Sequence, residues 1–235
     1  MSEHTIKQFD VDLEQIRSGV LAMGGLVEKQ LARAMAAIEE EQIGDLLESL
    51  GADEQAINRM QMDIDQQCTQ IIAKRQPAAI DLRMIMTVTK VVNDLERIGD
   101  EVKKIAYKAE QTRDIGKLAQ VRFYDVARAL ASVRAMLQAA LDAFARLDAA
   151  AAAEVVGNDE EVDAAFQAIL RQLISYMMED PRTISSALEI VFIAKSIERI
   201  GDHAKNVAES VVQIVKGVDV RHASAEQIRA EIGQR

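Results

Sequence analysis

The chain of 235 residues has no tryptophan, one cysteine, two prolines and only 3% aromatic residues. Each scarcity excludes something. A single cysteine, Cys68, rules out a disulfide framework and any zinc site built on several thiolates. Two prolines cannot punctuate an all-β chain, which needs turn signals about every 8–12 residues. Cations are also in deficit: 28 Lys and Arg against 38 Asp and Glu leave a formal charge of -10. There is no basic stripe of the kind that displaces counterions from a phosphate backbone, so nucleic acid is not an expected partner. No apolar run approaches the roughly 18 residues that a bilayer span requires. The opening MSEHTIKQFDVDLEQIR is charged at once and has no apolar core like that of a secretory signal. A cytoplasmic location without membrane insertion is the expectation.

What remains is a chain that is 49% apolar, enough to exclude global disorder. Its apolar residues recur with helical spacing. Phe9, Leu13, Ile16, Val20, Met23, Val27, Leu31, Ala34 and Ile38 mark one face of a first helix. A second run extends from about Ile43 to Lys74 and meets Pro77, which reads as a boundary because proline is not tolerated in a helix interior. A third runs from about Ala79 to Gln111 and is expected to end near Gly116. The pattern then restarts, with helices at about Leu118–Leu147, Ala151–Met178 and Thr183–Val215. Gly157-Asn158 is a candidate break in the fifth, Pro181 mirrors Pro77, and the polar tail 218–235 is short with some helical character.

The restart is a duplication. LERIGDEVKKIA (95–106) matches IERIGDHAKNVA (197–208), ADEQAIN (52–58) matches GNDEEVD (157–163), and the prolines lie at equivalent places. Helices of about 30 residues are roughly 45 Å long. Joined by short links, three of them must run up, down and up. The fold class is therefore all-α: two tandem antiparallel three-helix bundles related by internal duplication, with units 1–115 and 116–217 and a tail 218–235. An elongated molecule is expected. The ten methionines are read as core fillers rather than a binding box, and Cys68 as core.

The repeated ERIGD breaks two local rules. Glu96 and Asp100, and again Glu198 and Asp202, place like charges four residues apart, which costs a helix a few tenths of a kcal/mol, about 0.2–0.5. Each pair encloses a glycine, Gly99 or Gly201, which costs about 1 kcal/mol relative to alanine. Conflicts of this kind tend to mark functional sites. A cation turns the repulsion into shared coordination, while the glycine lets a helix or ligand approach. In the sixth helix the stripe continues to Asn206. The fifth supplies Asp159 and Asp163, also four apart, so antiparallel packing brings five oxygen-bearing side chains together. In the first repeat Glu96 and Asp100 lie opposite Glu54 and Asn58, with Lys104 where the second stripe has its asparagine. Oxygen-only ligands suit Mg, Mn, Ca or Fe better than a structural zinc. The competing reading is a solvated acidic face neutralised by Arg97, Arg199, Lys103 and Lys205; the duplication tips the balance toward metal.

At these residues the sequence resembles the PhoU family. The resemblance covers nearly the whole chain: the opening FDVDLEQIRSGVLAMGGLVEKQLARAM, the DLR at 81–83, both ERIGD strings and GNDEEVD. It implies two tandem three-helix bundles, divalent or trivalent metal ions (Fe, Zn, Mn or Mg) in multinuclear clusters on the acidic faces, and a homodimer or larger oligomer. It also implies negative regulation of the phosphate-starvation (Pho) response and of high-affinity phosphate uptake. The protein would then be a metal-binding adaptor, not an enzyme, between the transporter ATPase PstB and the sensor histidine kinase PhoR. Carried over, the second-repeat ligands are Asp159, Asp163, Glu198, Asp202 and Asn206, and the first-repeat ligands are Glu54, Glu96 and Asp100. Asn58 and Lys104 depart from the family pattern in the first repeat, and Asp94 is a lesser candidate.

Three alternatives stand beside the adaptor. A carboxylate-bridged metalloenzyme on a helical bundle would use Glu-x-x-His pairs, and no glutamate here is followed three residues later by histidine. A purely structural bundle would hold no stoichiometric metal. A phosphatase of PhoU-like fold lacks a recognisable nucleophile. Arg83 is expected to pair with a carboxylate on its own helix, and His203 to lie at the surface or in an interface.

Overall fold

Apolar stripes repeating every three or four residues, with few helix breakers, produce helices throughout the computed structural model. It describes residues 7–39, 43–112, 117–221 and 223–233. The first repeat contains α1 (Lys7–Glu39), α2 (Ile43–Arg75) and α3 (Ala79–Thr112). The second contains α4 (Lys117–Arg146), α5 (Ala149–Gly157), α6 (Asp159–Glu179) and α7 (Ile184–Lys216), followed by α8 (Ala225–Gly233). The bounds read from the sequence for α2, α3, α4 and α7 fall within one residue of these. The cap expected at Gly116, together with His4 and His222, lies outside the described residues.

The fifth run divides at Gly157-Asn158 into α5 and α6. The Asp148 carboxylate accepts from the Ala150 and Ala151 amides, each at 3.0 Å, and so caps the alanine-rich α5. Pro181 forces Asp180 into an extended conformation (φ -137°, ψ 101°), which ends α6 and starts a single 3₁₀ turn before α7. Gly217, at φ 75°, terminates α7 in the left-handed conformation that glycine adopts without strain. The Arg83 guanidinium packs there: a Cβ on Gly217 would lie 3.2 Å from its Cζ. Arg83 thus sits at the negative end of α7 rather than on a carboxylate of its own helix.

The bundles lie side by side and share one continuous core, rather than joining end to end. α3 and α7 run antiparallel along their whole length, as Lys108–Glu189, Arg199–Glu101, His203–Asp94 and Lys90–Gln213 show. α1 and α4 also run antiparallel: the Arg17 guanidinium donates to the Ala145 carbonyl at 2.9 Å, and Arg134 lies 3.9 Å from Glu28. Because equivalent helices pair antiparallel, the repeats are related by a pseudo-twofold axis across this seam. Cys68 is buried, and burial pushes its thiol up to about 12. The methionines divide: Met23, Met84 and Met136 fill the core, whereas Met62, Met86 and Met178 are exposed.

Gly24 and Gly25 adjoin in α1 but have opposite roles. A Cβ on Gly24 would lie 2.5 Å from Leu141 Cδ2 and 3.2 Å from its Cγ, whereas one on Gly25 would meet nothing within 4 Å. Gly25→Ala is expected to stabilise the protein by about 0.5–1 kcal/mol through helix propensity. Gly24→Ala is expected to destabilise it by about 1–2 kcal/mol, because overpacking outweighs the same propensity gain. Urea midpoints of the two variants moving in the same direction would contradict this account of the α1/α4 seam.

Candidate metal-binding carboxylate faces

The glycine of each ERIGD serves helix packing. A Cβ on Gly201 would lie 3.0 Å from Val162 Cγ1, and one on Gly99 would lie 3.3 Å from Ile57 Cδ1. Val162 and Ile57 occupy equivalent positions in the duplicated strings, so α6 rests on α7 as α2 rests on α3. This close approach sets the carboxylates of one helix against those of the next.

In the second repeat Asp159 lies in the first turn of α6, where the helix dipole favours a negative charge. It is buried and accepts a 2.6 Å hydrogen bond from Lys205 Nζ on α7. Glu198 accepts from Lys195 Nζ at 2.7 and 2.6 Å. Asp163 and Asp202 are exposed, and neither forms an ion pair among the described residues. Partial burial, then the negative charges of Glu198, Asp159 and Asp163, hold the Asp202 carboxyl above the usual carboxylate range. Asp163 is raised in the same way, by partial burial and then by Asp159 and Glu198. The four carboxylates therefore sense one another across the α6/α7 interface. Asn206 is directed elsewhere: its amide donates to Asp94 Oδ1 at 3.1 Å, across the inter-repeat seam.

The first repeat reproduces the pattern. Lys103 Nζ donates to Glu54 Oε2 at 2.5 Å, the counterpart of Lys205 on Asp159. Glu96 has the Arg97 guanidinium at 3.8 Å. Burial, then Asp100 and, more weakly, Glu54, push its carboxyl up, against the pull of Arg97 and His203. Asn58 is half-buried, and Lys104 turns to Glu101 at 2.8 Å. The lysines that the sequence offered as neutralising groups do engage each face, but they leave Asp163 and Asp202 unpaired.

The donors are all oxygen and lie on facing helices, the chemistry of a hard cation site. No three of the Asp, Glu, His or Cys side chains converge on a common point among the described residues. Lys195 and Lys205 stand on Glu198 and Asp159. Both are long, mobile side chains, and displacing them would free four carboxylates from two helices.

Several functional groups escaped the sequence reading. Glu101 is buried and takes both Lys104 and Arg199 Nη1, the latter at 3.0 Å. Its signal was a charge on the apolar face marked by Ile98, Val102 and Ile105. Glu209 is also buried, one turn beyond Asn206 on the same stripe. His203, by contrast, lies in an interface as the sequence reading allowed, with its Nδ1 at 2.9 Å from Asp94 Oδ1.

The fold and these faces define a class: a duplicated three-helix-bundle protein with matched carboxylate rows across neighbouring helices. The PhoU domain model matches twice, at residues 20–109 and 126–211. The chain is 46% identical over 232 residues to a phosphate-specific transport system accessory protein PhoU homolog of Pseudomonas putida, covering 99% of this chain and 90% of that protein. It is 41% identical to PhoU of Escherichia coli K12 over 229 residues, 97% of this chain and 93% of that one. The crystal structure of PhoU from Pseudomonas aeruginosa superposes with a TM-score of 0.85 at 46% identity, covering 89% of this chain and all of the other. The chain belongs to the PhoU family.

Proposed function

We propose that this protein is an accessory regulator of phosphate transport that acts by binding partners rather than by turnover. The observation that carries the reading is end-to-end similarity, through both domains, to proteins named for that role. A solved relative from Streptococcus pneumoniae, 25% identical with a TM-score of 0.82, is described as a phosphate transport system regulatory protein. In this reading the protein is a cytoplasmic homodimer. It links the transporter ATPase PstB to the sensor kinase PhoR and holds the kinase in its phosphatase-favouring state when phosphate is plentiful. No helix among the described residues is long and apolar enough to cross a membrane, so contact with the transporter would run through its cytoplasmic parts.

The proposal includes metal. Asp159, Asp163, Glu198 and Asp202 would hold the second-repeat ions, with Glu54, Glu96 and Asp100 as the first-repeat set. A bound cation would cancel the repulsion between the rows and fix α6 against α7, giving a metal-dependent shape for partners to read. Asn206 would offer its Oδ1, its Nδ2 being held by Asp94.

The test is a deletion strain carrying an alkaline phosphatase reporter in phosphate-rich medium. Loss of the gene is expected to derepress the reporter, and the parent gene to restore repression. A deletion strain that still represses would refute the regulatory role. Elemental analysis of untagged protein beside Glu198→Ala/Asp202→Ala addresses the metal. Stoichiometric Fe, Zn, Mn or Mg whose second-repeat share is lost in the variant is the expected result; metal-free parent protein would remove the metal from the proposal.

A further inference from the structure

A second polar feature lies outside the carboxylate rows. A groove of about 490 Å³ is lined by α2, α3, α7 and the segment after α7, and no carboxylate of either row borders it. Four carboxylates do: Asp65, Asp94, Glu209 and Asp219, against two cations, Lys90 and Arg221. Both cations are engaged. Lys90 Nζ donates to Gln213 at 3.2 Å, and Arg221 grips Asp219 with Nη2 at 2.5 Å from Oδ2. Asp94 accepts from His203 and Asn206. Two acceptors are left over. Glu209 is only 4% exposed and has no hydrogen bond or ion pair among the described residues, and Asp65 Oδ1 is buried without a partner there.

We propose that this groove receives an alkylammonium or guanidinium group, with Glu209 and Asp65 as its principal acceptors. A free buried acceptor is costly, and a buried carboxylate more so. An anion is the wrong class, because both cations already hold partners while two carboxylates hold none. A bare metal ion would leave most of the groove unfilled. The groove holds many times the roughly 30 Å³ that one water occupies in the liquid. An ammonium presents three donors and a guanidinium five, spread in different directions, which matches acceptors carried on different helices. Burial lifts the Glu209 carboxyl to about 7, and an incoming cation would offset that penalty. The source of the group is either a free amine or the side chain of a basic partner.

The test is calorimetric titration of the full chain at pH 8 with agmatine, and separately with the blocked peptide acetyl-Gly-Arg-Gly-amide. At least one is expected to bind saturably at one site. Affinity should fall at least tenfold in Glu209→Gln/Asp65→Asn and in Glu209→Gln alone. It should stay within twofold in Glu48→Gln/Asp142→Asn, which removes the same charge from exposed positions. Binding of agmatine alone would identify a free amine, and binding of the peptide alone a partner's side chain. Three results would overturn the proposal. They are no saturation by either probe, equal loss in both double variants, and saturation of Glu209 and Asp65 by Mg²⁺ with neither organic cation binding.

Discussion

Glu209→Gln is expected to stabilise the protein at pH 8 by about 3 kcal/mol and to change little at pH 4. Burial raises the Glu209 carboxyl from its ordinary 4.5 to about 7 in the folded chain, with Lys205 partly opposing. Between those values the native protein holds a proton that the unfolded chain has released. Stability therefore falls as pH rises from about 4.5 to 7, and the deficit persists at higher pH. Glutamine mimics the protonated acid and escapes it. Glu96, Asp163, Asp202 and Asp65 are raised as well, so they act in the same direction. Asp219 opposes them: its hydrogen bonds to Arg221 hold it down at about 2, and its contribution is lost only as pH falls below the ordinary 3.8. The parent should be most stable in mildly acidic solution, near pH 4–5, an unusual optimum for a protein of charge -10. Urea denaturation of parent and variant at pH 5 and pH 8 checks this. Equal pH slopes for the two would show that Glu209 is not the source.

Asp163→Asn/Asp202→Asn is expected to raise the stability of the metal-free protein while removing the second-repeat metal. These two carboxylates face each other across α6 and α7 without ion pairs, so their neutralisation removes repulsion and breaks no bond. The gain is modest, about 0.5–1 kcal/mol, because both groups are exposed and each like-charge contact is worth a few tenths, about 0.2–0.5 kcal/mol. Metal should be lost from the second repeat, since neutral amides replace its two unpaired carboxylates, while the first-repeat set stays intact. Thermal melts of chelator-treated protein, paired with elemental analysis of protein as purified, separate the effects. A variant that melted lower and kept all of the parent's metal would place the binding site elsewhere. A variant that melted higher with a metal-free parent would leave the rows as solvated acidic faces.

The sequence by itself determined the secondary structure and the duplication. Apolar residues at three- and four-residue spacing leave little choice but helix, and only two prolines and a few glycines interrupt it. Equivalent strings in the two halves then fix which helices correspond. The carboxylate rows were legible for the same reason, because four-residue spacing along a helix is geometry that the sequence carries. Tertiary structure alone decided where each side chain turns. Lys103 and Lys205 reach Glu54 and Asp159, and Asn206 leaves its stripe for Asp94. Long polar side chains have several staggered rotamers of similar energy, and the facing helix selects among them. The antiparallel pairing of α3 with α7 was likewise not written in either helix. Both repeats present similar apolar faces, and spacing within one helix is silent about which face meets which. That pairing buries Glu101, Asp94 and Glu209, and so creates the seam, its histidine and the groove with unpaired acceptors.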